Sequence, residues 1–305
     1  MSSVVAVGSM AFDTIETPFG KAQKILGGSV NHFSLAASYF VPVQCVSVVG
    51  DDFPRDHLSV LTERGIDIQG VQTAKGKTFH WSGRYGYELH EAHTLTTCLN
   101  VFESFEPTIP EEYKKTPYVF LGNISPKLQL KVLENMANPK FIALDTMNFW
   151  IEGSRKELVE ILSRCNALLI NEGEARQLTK TYNIVQAGQM IRSWGPQITV
   201  IKRGEYGAVL FDHGEVFSIP GLPLAEVKDP TGAGDAFAGG FIGYLASQAG
   251  FSISRYTLRK AVVYGSVMAS FIVQDFGFRQ LLNLKRESIE ERYNRFIELT
   301  AFHVE

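Results

Sequence analysis

Six short apolar runs, each closed by polar or glycine residues, set the strongest limit on how this chain folds. They are "SVVAVG", "VQCVSVVGDD", "YVFLGN", "KFIALDTMN", "ALLINEGE" and "ITVIKRG". Segments of helical period lie between them, among them "SVNHFSLAASYF", "FPRDHLSVLTERG", "SPKLQLKVLENMA", "SRKELVEILSRC", "EARQLTKTY" and "IVQAGQMIRSWG". Apolar strands that alternate with helices pair in parallel and need cover on both faces. The expected fold class is therefore α/β, a mainly parallel central sheet between two helical layers. A chain of 305 residues can bury such a core without staples, and a single domain over residues 1–305 is expected. Ligands of such sheets gather at the carboxyl ends of the strands. Those ends carry Asn123, Asp145, Asn148, Asn171, Glu174 and Lys202.

Other stretches break the alternation. Residues 70–105 are rich in threonine and aromatics with alternating polarity, which predicts antiparallel strands. With residues 13–20, "DTIETPFG", they are expected to build a small β-sheet beside the main body. "GAVLFDHGEVFSIPG" predicts a hairpin, and residues 235–305 are helical in pattern throughout. The net charge is −3 and no block of five basic residues occurs, which argues against nucleic acid or an anionic membrane as partner. No apolar run reaches the length of a membrane span, and the start lacks the basic region of a signal peptide. Cys45, Cys98 and Cys165 stand far apart and form no C-x-x-C pair, so a reducing, cytoplasmic setting is expected.

The chemistry concentrates in "DPTGAGDAFAGGF", residues 229–241. Gly232, Ala233 and Gly234 precede an apolar helical run. The first N–H groups of a helix have no intrahelical partner, and the macrodipole adds roughly half a positive charge there. With no side chains in the way, those amides form a cradle for an oxyanion or phosphate. Asp235 stands inside it and is expected to stay ionised, ready to take a proton from a hydroxyl. A base beside an anion hole suits in-line phosphoryl transfer to an alcohol. The same pattern also arises where a helix merely packs closely and begins with an acid. It is not a Walker A loop, because no Gly-Lys-Ser/Thr follows, and the third glycine of the dinucleotide fingerprint is replaced by Phe237.

This stretch closely resembles the C-terminal signature of the ribokinase-like, or PfkB, carbohydrate kinases. "VGSMAFD", "GGSVNHFSLAAS", "VVGDDFPRD", "NEGE" and "VIKRGEYGAVLF" follow in that family's order, so the resemblance covers almost the whole chain. It implies a ribokinase-like αβα sandwich with a small β lid, and transfer of the ATP γ-phosphoryl group to a hydroxymethyl group with Mg²⁺. Carried over, Asp235 is the catalytic base and Gly232, Ala233 and Gly234 the anion hole. Asp13 binds the acceptor's diol, and Gly27 and Gly28 let the backbone approach it. Asn123 and Asp145 are further acceptor-side candidates. Asn171, Lys202, Gly204 and Ser266 fall on the nucleotide side. Glu174 holds Mg²⁺ through water, although Asn171 and Glu174 also fit a capping box. Asp229 resembles the K⁺ loop of some members; a simple turn fits equally.

The departures bear on the acceptor. Where many members place a sugar-binding asparagine four residues after the glycine pair, this chain has His32, with Asn31 just before it. "DTMNFW" lacks an arginine common in the family, which argues against a phosphorylated sugar. Arg203 stands where an apolar residue is common. The lid carries Phe79, Trp81, Tyr85 and Tyr87, which suit either a nucleobase or the packed face of a sheet or lid dimer. The expected function is an ATP-dependent kinase of a nucleoside or sugar, the nucleoside favoured and the chain a homodimer through its lid. The alternatives are a free-sugar kinase and a catalytically silent nucleotide-binding protein.

Overall fold

The computed structural model describes residues 2–248 and 253–301; residues 249–252 and 302–305 of the helical stretch 235–305 lie outside the described residues. In chain order the strands are β1 (Val4–Val7), β2 (Ala11–Thr17), β3 (Gly20–Gly27), β4 (Val43–Gly50), β5 (Asp67–Ala74), β6 (Phe79–Tyr85) and β7 (Ala92–Cys98). Then come β8 (Tyr118–Leu121), β9 (Phe141–Asp145), β10 (Ala167–Asn171), β11 (Ile198–Lys202), β12 (Ala208–Asp212) and β13 (Glu215–Ile219). The larger sheet runs β13-β12-β11-β10-β9-β8-β1-β4-β5. From β5 to β11 every neighbouring pair is parallel, and β12 and β13 close one edge antiparallel. The hairpin turns through His213 and Gly214, both at positive φ, as a tight two-residue turn requires.

Strands β1, β8, β9, β10 and β11 are buried on both faces, as their apolar runs demand, while the edge strands β5 and β13 are partly exposed. Along β1, Val4 and Ala6 enter one core and Val5 and Val7 the other. The first core is covered by the helices Ser29–Ala37, Ala233–Ser247 and Arg255–Ile272. The second is covered by Pro126–Glu134, Arg155–Leu162 and Ile184–Ser193. The strand order reverses between β1 and β8, which opens a crevice at the carboxyl ends there. Helix Ala233–Ser247 is wedged between its neighbours by glycines. A Cβ at Gly239 would lie 2.4 Å from the Phe33 carbonyl oxygen, and one at Gly240 2.6 Å from that of Tyr264.

The smaller sheet has the order β3-β2-β6-β7. The pairs β2–β3 and β6–β7 are antiparallel, but β2 and β6 run parallel. Its extent differs from the expected 13–20 and 70–105. Residues 70–74 belong to β5 of the larger sheet, paired in parallel with β4. They return from the helix Arg55–Glu63 and so complete a β-α-β unit, which pairs in parallel. The lid sheet instead takes in β3 as far as Gly27 and starts its second hairpin at Phe79. In β7, six of the seven residues are exposed.

Candidate active site

Helix Ala233–Ser247 begins at the crevice, with Gly232 as its N-cap at φ 78. Only glycine adopts that backbone freely, and the space beside its Cα is already taken. A Cβ there would fall 2.3 Å from the His32 ring. Nδ1 of His32 donates to the Gly28 carbonyl at 3.0 Å, which leaves Nε2 as a buried lone pair without a partner. Burial pushes this imidazole down to about 4, so it is neutral at physiological pH. His32 thus backs the helix head and ties it to the glycine pair. Asn31 turns inward too, its amide donating to the Gly27 carbonyl at 2.6 Å.

Asp13 projects from β2 into the crevice and is 5% exposed. Gly27, on the neighbouring strand, makes room for it: a Cβ there would come 1.8 Å from Oδ2. Gly28 follows at φ 93 with its Cα against the Ser9 carbonyl. Ser9 and Ser29 lock this corner by reciprocal bonds, each backbone N–H donating to the other's hydroxyl at 3.1 and 3.2 Å. Burial, then the charges of Asp229 and Asp235, push the Asp13 carboxyl up to about 7, against a hydrogen bond from the Gly28 backbone. Asp13 and Asp235 thus lie within electrostatic reach of each other.

Within the same reach of Asp235 stand Asp145 at the end of β9, Lys202 at the end of β11, and Glu174. The Lys202 ammonium is 3.3 Å from Asp145 Oδ2 and lies beside Gly234, where a Cβ would be 2.9 Å from it. Burial disfavours its charge, but Asp145, Glu174 and Asp235 outweigh that and hold it protonated. Asp235 is pushed up to about 7 by burial and by Asp145, with Lys202 opposing. Glu174 is pushed up to about 7 by burial and Asp145, again against Lys202. Burial and the neighbouring Asp145 charge thus act on Asp235 against the ionised form that the helix head favours. Asn171 and Glu174 form a complete capping box at the helix Glu172–Thr179. Arg203 also has an account. Its Nε donates to Glu172 Oε2 at 2.8 Å and pins that helix to β11.

The smaller sheet touches the body at Tyr85 and at its hairpin tip. The Thr231 hydroxyl donates to the Tyr85 phenol oxygen at 3.2 Å, joining β6 to the loop before the helix head. At the hairpin tip His90 lies 3.5 Å from Glu205 and beside Tyr206. A Cβ at Gly204 would be 3.4 Å from His90 Nδ1, and one at Gly173 2.9 Å from Glu91 Oε1. The Tyr85–Thr231 link could not be read from spacing, because 146 residues separate its partners.

The remaining sequence candidates are placed as follows. Asn123 is engaged internally, donating to Met147 Sδ at 3.0 Å and accepting from the Trp150 indole at 2.9 Å. Asp229 is fully buried and accepts from the Thr231 and Gly277 backbone, so its carboxylate anchors the loop. Ser266 lies on a half-buried stripe of helix Arg255–Ile272, whose C-cap Val273 accepts from the N–H groups of Lys228 and Asp229. Among the described residues no three acidic, histidine or cysteine side chains converge closely enough to hold a metal alone. No helix there is long and apolar enough to cross a membrane.

Comparison with known proteins bears on the family and the fold. Residues 1–283 match the pfkB family carbohydrate kinase. The chain is 32% identical over 286 residues to the cytidine kinase of Thermococcus kodakarensis, covering 91% of this chain and 98% of that one. It is 25% identical over 291 residues to the nucleoside kinase of Methanothermobacter thermautotrophicus, with 90% of each covered. The fold superposes on the Burkholderia thailandensis nucleoside kinase in complex with ADP-inosine with a TM-score of 0.79 at 16% identity, covering 97% of this chain and 96% of that one.

Proposed function

This chain belongs to the pfkB family of carbohydrate kinases, and on that premise we propose that it phosphorylates the hydroxymethyl group of a nucleoside, cytidine first among them. It is a phosphotransferase acting on an alcohol group of a nucleoside or sugar, with ATP as donor. The nucleoside choice draws support from the cytidine and nucleoside kinases that align over nearly the whole chain. The observation that carries the site assignment is that the His32 ring joins Gly28, next to the Asp13 contact at Gly27, to Gly232 at the head of the helix that carries Asp235. In this reading Asp13 accepts the ribose diol. Asp235 takes the proton of the attacking hydroxyl as its oxygen bonds to the γ-phosphorus, and the bond to the β-phosphate oxygen breaks with its electrons leaving on ADP. The amides of Gly232, Ala233 and Gly234 hold the charge that develops on the transferred group. A base near 7 is matched to this work.

Nucleotide phosphates would lie along the ends of β9–β11, beside Lys202, Asn171 and Gly204. Three carboxyls there face one ammonium, and all their donor atoms are oxygens, which fits a divalent cation. Mg²⁺, held through water by Glu174 and otherwise by phosphate, would neutralise charge on the donor. Asp229 serves as the loop's anchor, and a K⁺ role for it would appear as a rate difference between K⁺ and Na⁺. The exposed edge strand β7 supports a homodimer through the lid. The three free thiols, Cys98 among them exposed, support a cytoplasmic location.

The test is ADP release with Mg-ATP against a panel of nucleosides and free sugars. Turnover of cytidine well above ribose and fructose is expected. Turnover of free sugars alone would overturn the nucleoside assignment, and ATP binding without turnover of any acceptor would mark a silent binding protein.

A further inference from the structure

Four aromatic side chains on the second lid hairpin were candidates for a base, and their settings differ. Phe79 stacks on Phe102 with centroids 5.5 Å apart, inside the lid's junction with the body. Tyr87 is 84% exposed and meets Phe19 edge-on. Tyr85 is taken by Thr231. Trp81 stands directly beside Asp13 in the β2–β6 register. Adjacent residues in that register share a face of the sheet and lie about 4.8 Å apart. Alternation along β6 puts Gly83 and Tyr85 on the same face, and the Tyr85 phenol feels the charges of Asp229 and Asp13. This is the face that looks into the cleft.

The indole is held flat there. It lies over Gly83, where a Cβ would come 2.2 Å from Cη2 and 2.3 Å from Cζ2. Nε1 donates to Thr94 Oγ1 on β7 at 3.3 Å. Trp81 is only half-buried, and among the described residues no other ring is stacked on it. In a ribofuranoside the carbon that bears the base is bonded to one carbon of the diol, so a diol on Asp13 sets the base about one strand spacing away.

We propose that Trp81, laid on the Gly83 backbone, is the platform on which the acceptor's base stacks, and that it makes this site prefer a nucleoside to a free sugar. The inference rests on the nucleoside reading above. Stacking on an indole is tolerant of base identity, so Trp81 separates a base from no base, and groups at the base's edge choose among bases.

The experiment compares wild type with Trp81→Ala, Trp81→Phe and Gly83→Ala for KM of cytidine and of ATP. It also follows quenching of intrinsic fluorescence by cytidine, corrected for absorption. Trp81→Ala is expected to raise the cytidine KM roughly 5- to 100-fold with the ATP KM within twofold. Trp81→Phe should recover most of that loss, which shows that a ring is needed and guards against a misfolded alanine variant. Gly83→Ala should raise the cytidine KM by displacing the indole, and the quench should vanish in Trp81→Phe although Trp150 and Trp194 remain. A wild type that phosphorylates nucleosides while Trp81→Ala and Trp81→Phe keep its cytidine KM and quench would overturn this inference and leave the nucleoside reading standing. A wild type that accepts only free sugars would overturn both.

Discussion

The two sheets of this molecule are built to opposite rules. The middle of the nine-stranded sheet is buried on both faces, and strands such as β1 and β8 have no exposed residue. The lid sheet sets one face on the cleft and leaves β7 open to solvent. The large sheet fixes Asp145 and Lys202 through its strand ends and the helix heads beside them. The lid sheet fixes Asp13, Trp81 and Tyr85 through register alone. On the function proposed above, chemistry falls to the larger sheet's side and acceptor recognition to the smaller sheet. Removing a group from the first should abolish the reaction, and removing one from the second should weaken capture of the acceptor.

Asp235→Asn gives the sharpest form of that contrast. It should lower kcat about 100- to 10,000-fold, with ATP binding retained in a direct titration. Wild-type turnover would break the assignment of chemistry to the large sheet's side. His32→Ala probes the join between the two parts. It removes the ring behind Gly232, and a shifted anion hole should lower kcat by roughly 10- to 100-fold. Steady-state kinetics decide the point: a rise in nucleoside KM with unchanged kcat would return His32 to the acceptor. Tyr85→Phe removes only the lid's hydroxyl contact with Thr231. The loss of one hydrogen bond corresponds to about a 2- to 10-fold fall in kcat/KM, with the melting temperature unchanged because the large core is untouched.

The smallest effect concerns pH. Asp13, Glu174 and Asp235 all have carboxyls raised to about 7 in the fold. A carboxyl raised above its unfolded value stabilises the fold below that unfolded value, near 4, and loses the contribution as pH rises through 7. The protein without substrates should melt lower at pH 8 than at pH 5. Asp235→Asn should recover part of the difference, roughly 2–4 °C at pH 8. If Asp235 is the base, as proposed above, the activity limb has the opposite sign and kcat should rise through the same range. Melting curves that are flat with pH would contradict the raised values.

Much of this was legible in the sequence, for identifiable reasons. The αβα layering followed from apolar runs of strand length, and the helix head from glycines adjoining an acid, both local signals. The residues 70–74 were misplaced because they carry the same threonine-rich pattern as the lid, and only their pairing with β4 assigns them to the body. His32 could be read from the sequence as an acceptor contact or as a structural histidine, and its Nδ1 is seen to donate to the Gly28 carbonyl. Helical offset says which way a side chain turns and not what stands there. Arg203 had no account until Glu172 was seen beside it. Trp81 could be named as an aromatic, but its place beside Asp13 depends on the pairing of strands more than sixty residues apart.

The glycine contacts of helix Ala233–Ser247 have a consequence of a different order. That helix touches the backbone of helix Ser29–Ala37 at Gly239. On the function proposed above, the first carries the anion hole at its head, and the second begins at the glycine pair beneath the acceptor. The gap the phosphoryl group must cross is therefore gauged by a backbone contact deep in the core, as a machine's clearance is set by its frame and not by its cutting edge. A methyl group at Gly239 would leave every reacting residue in place by name and put the two halves of the reaction out of alignment.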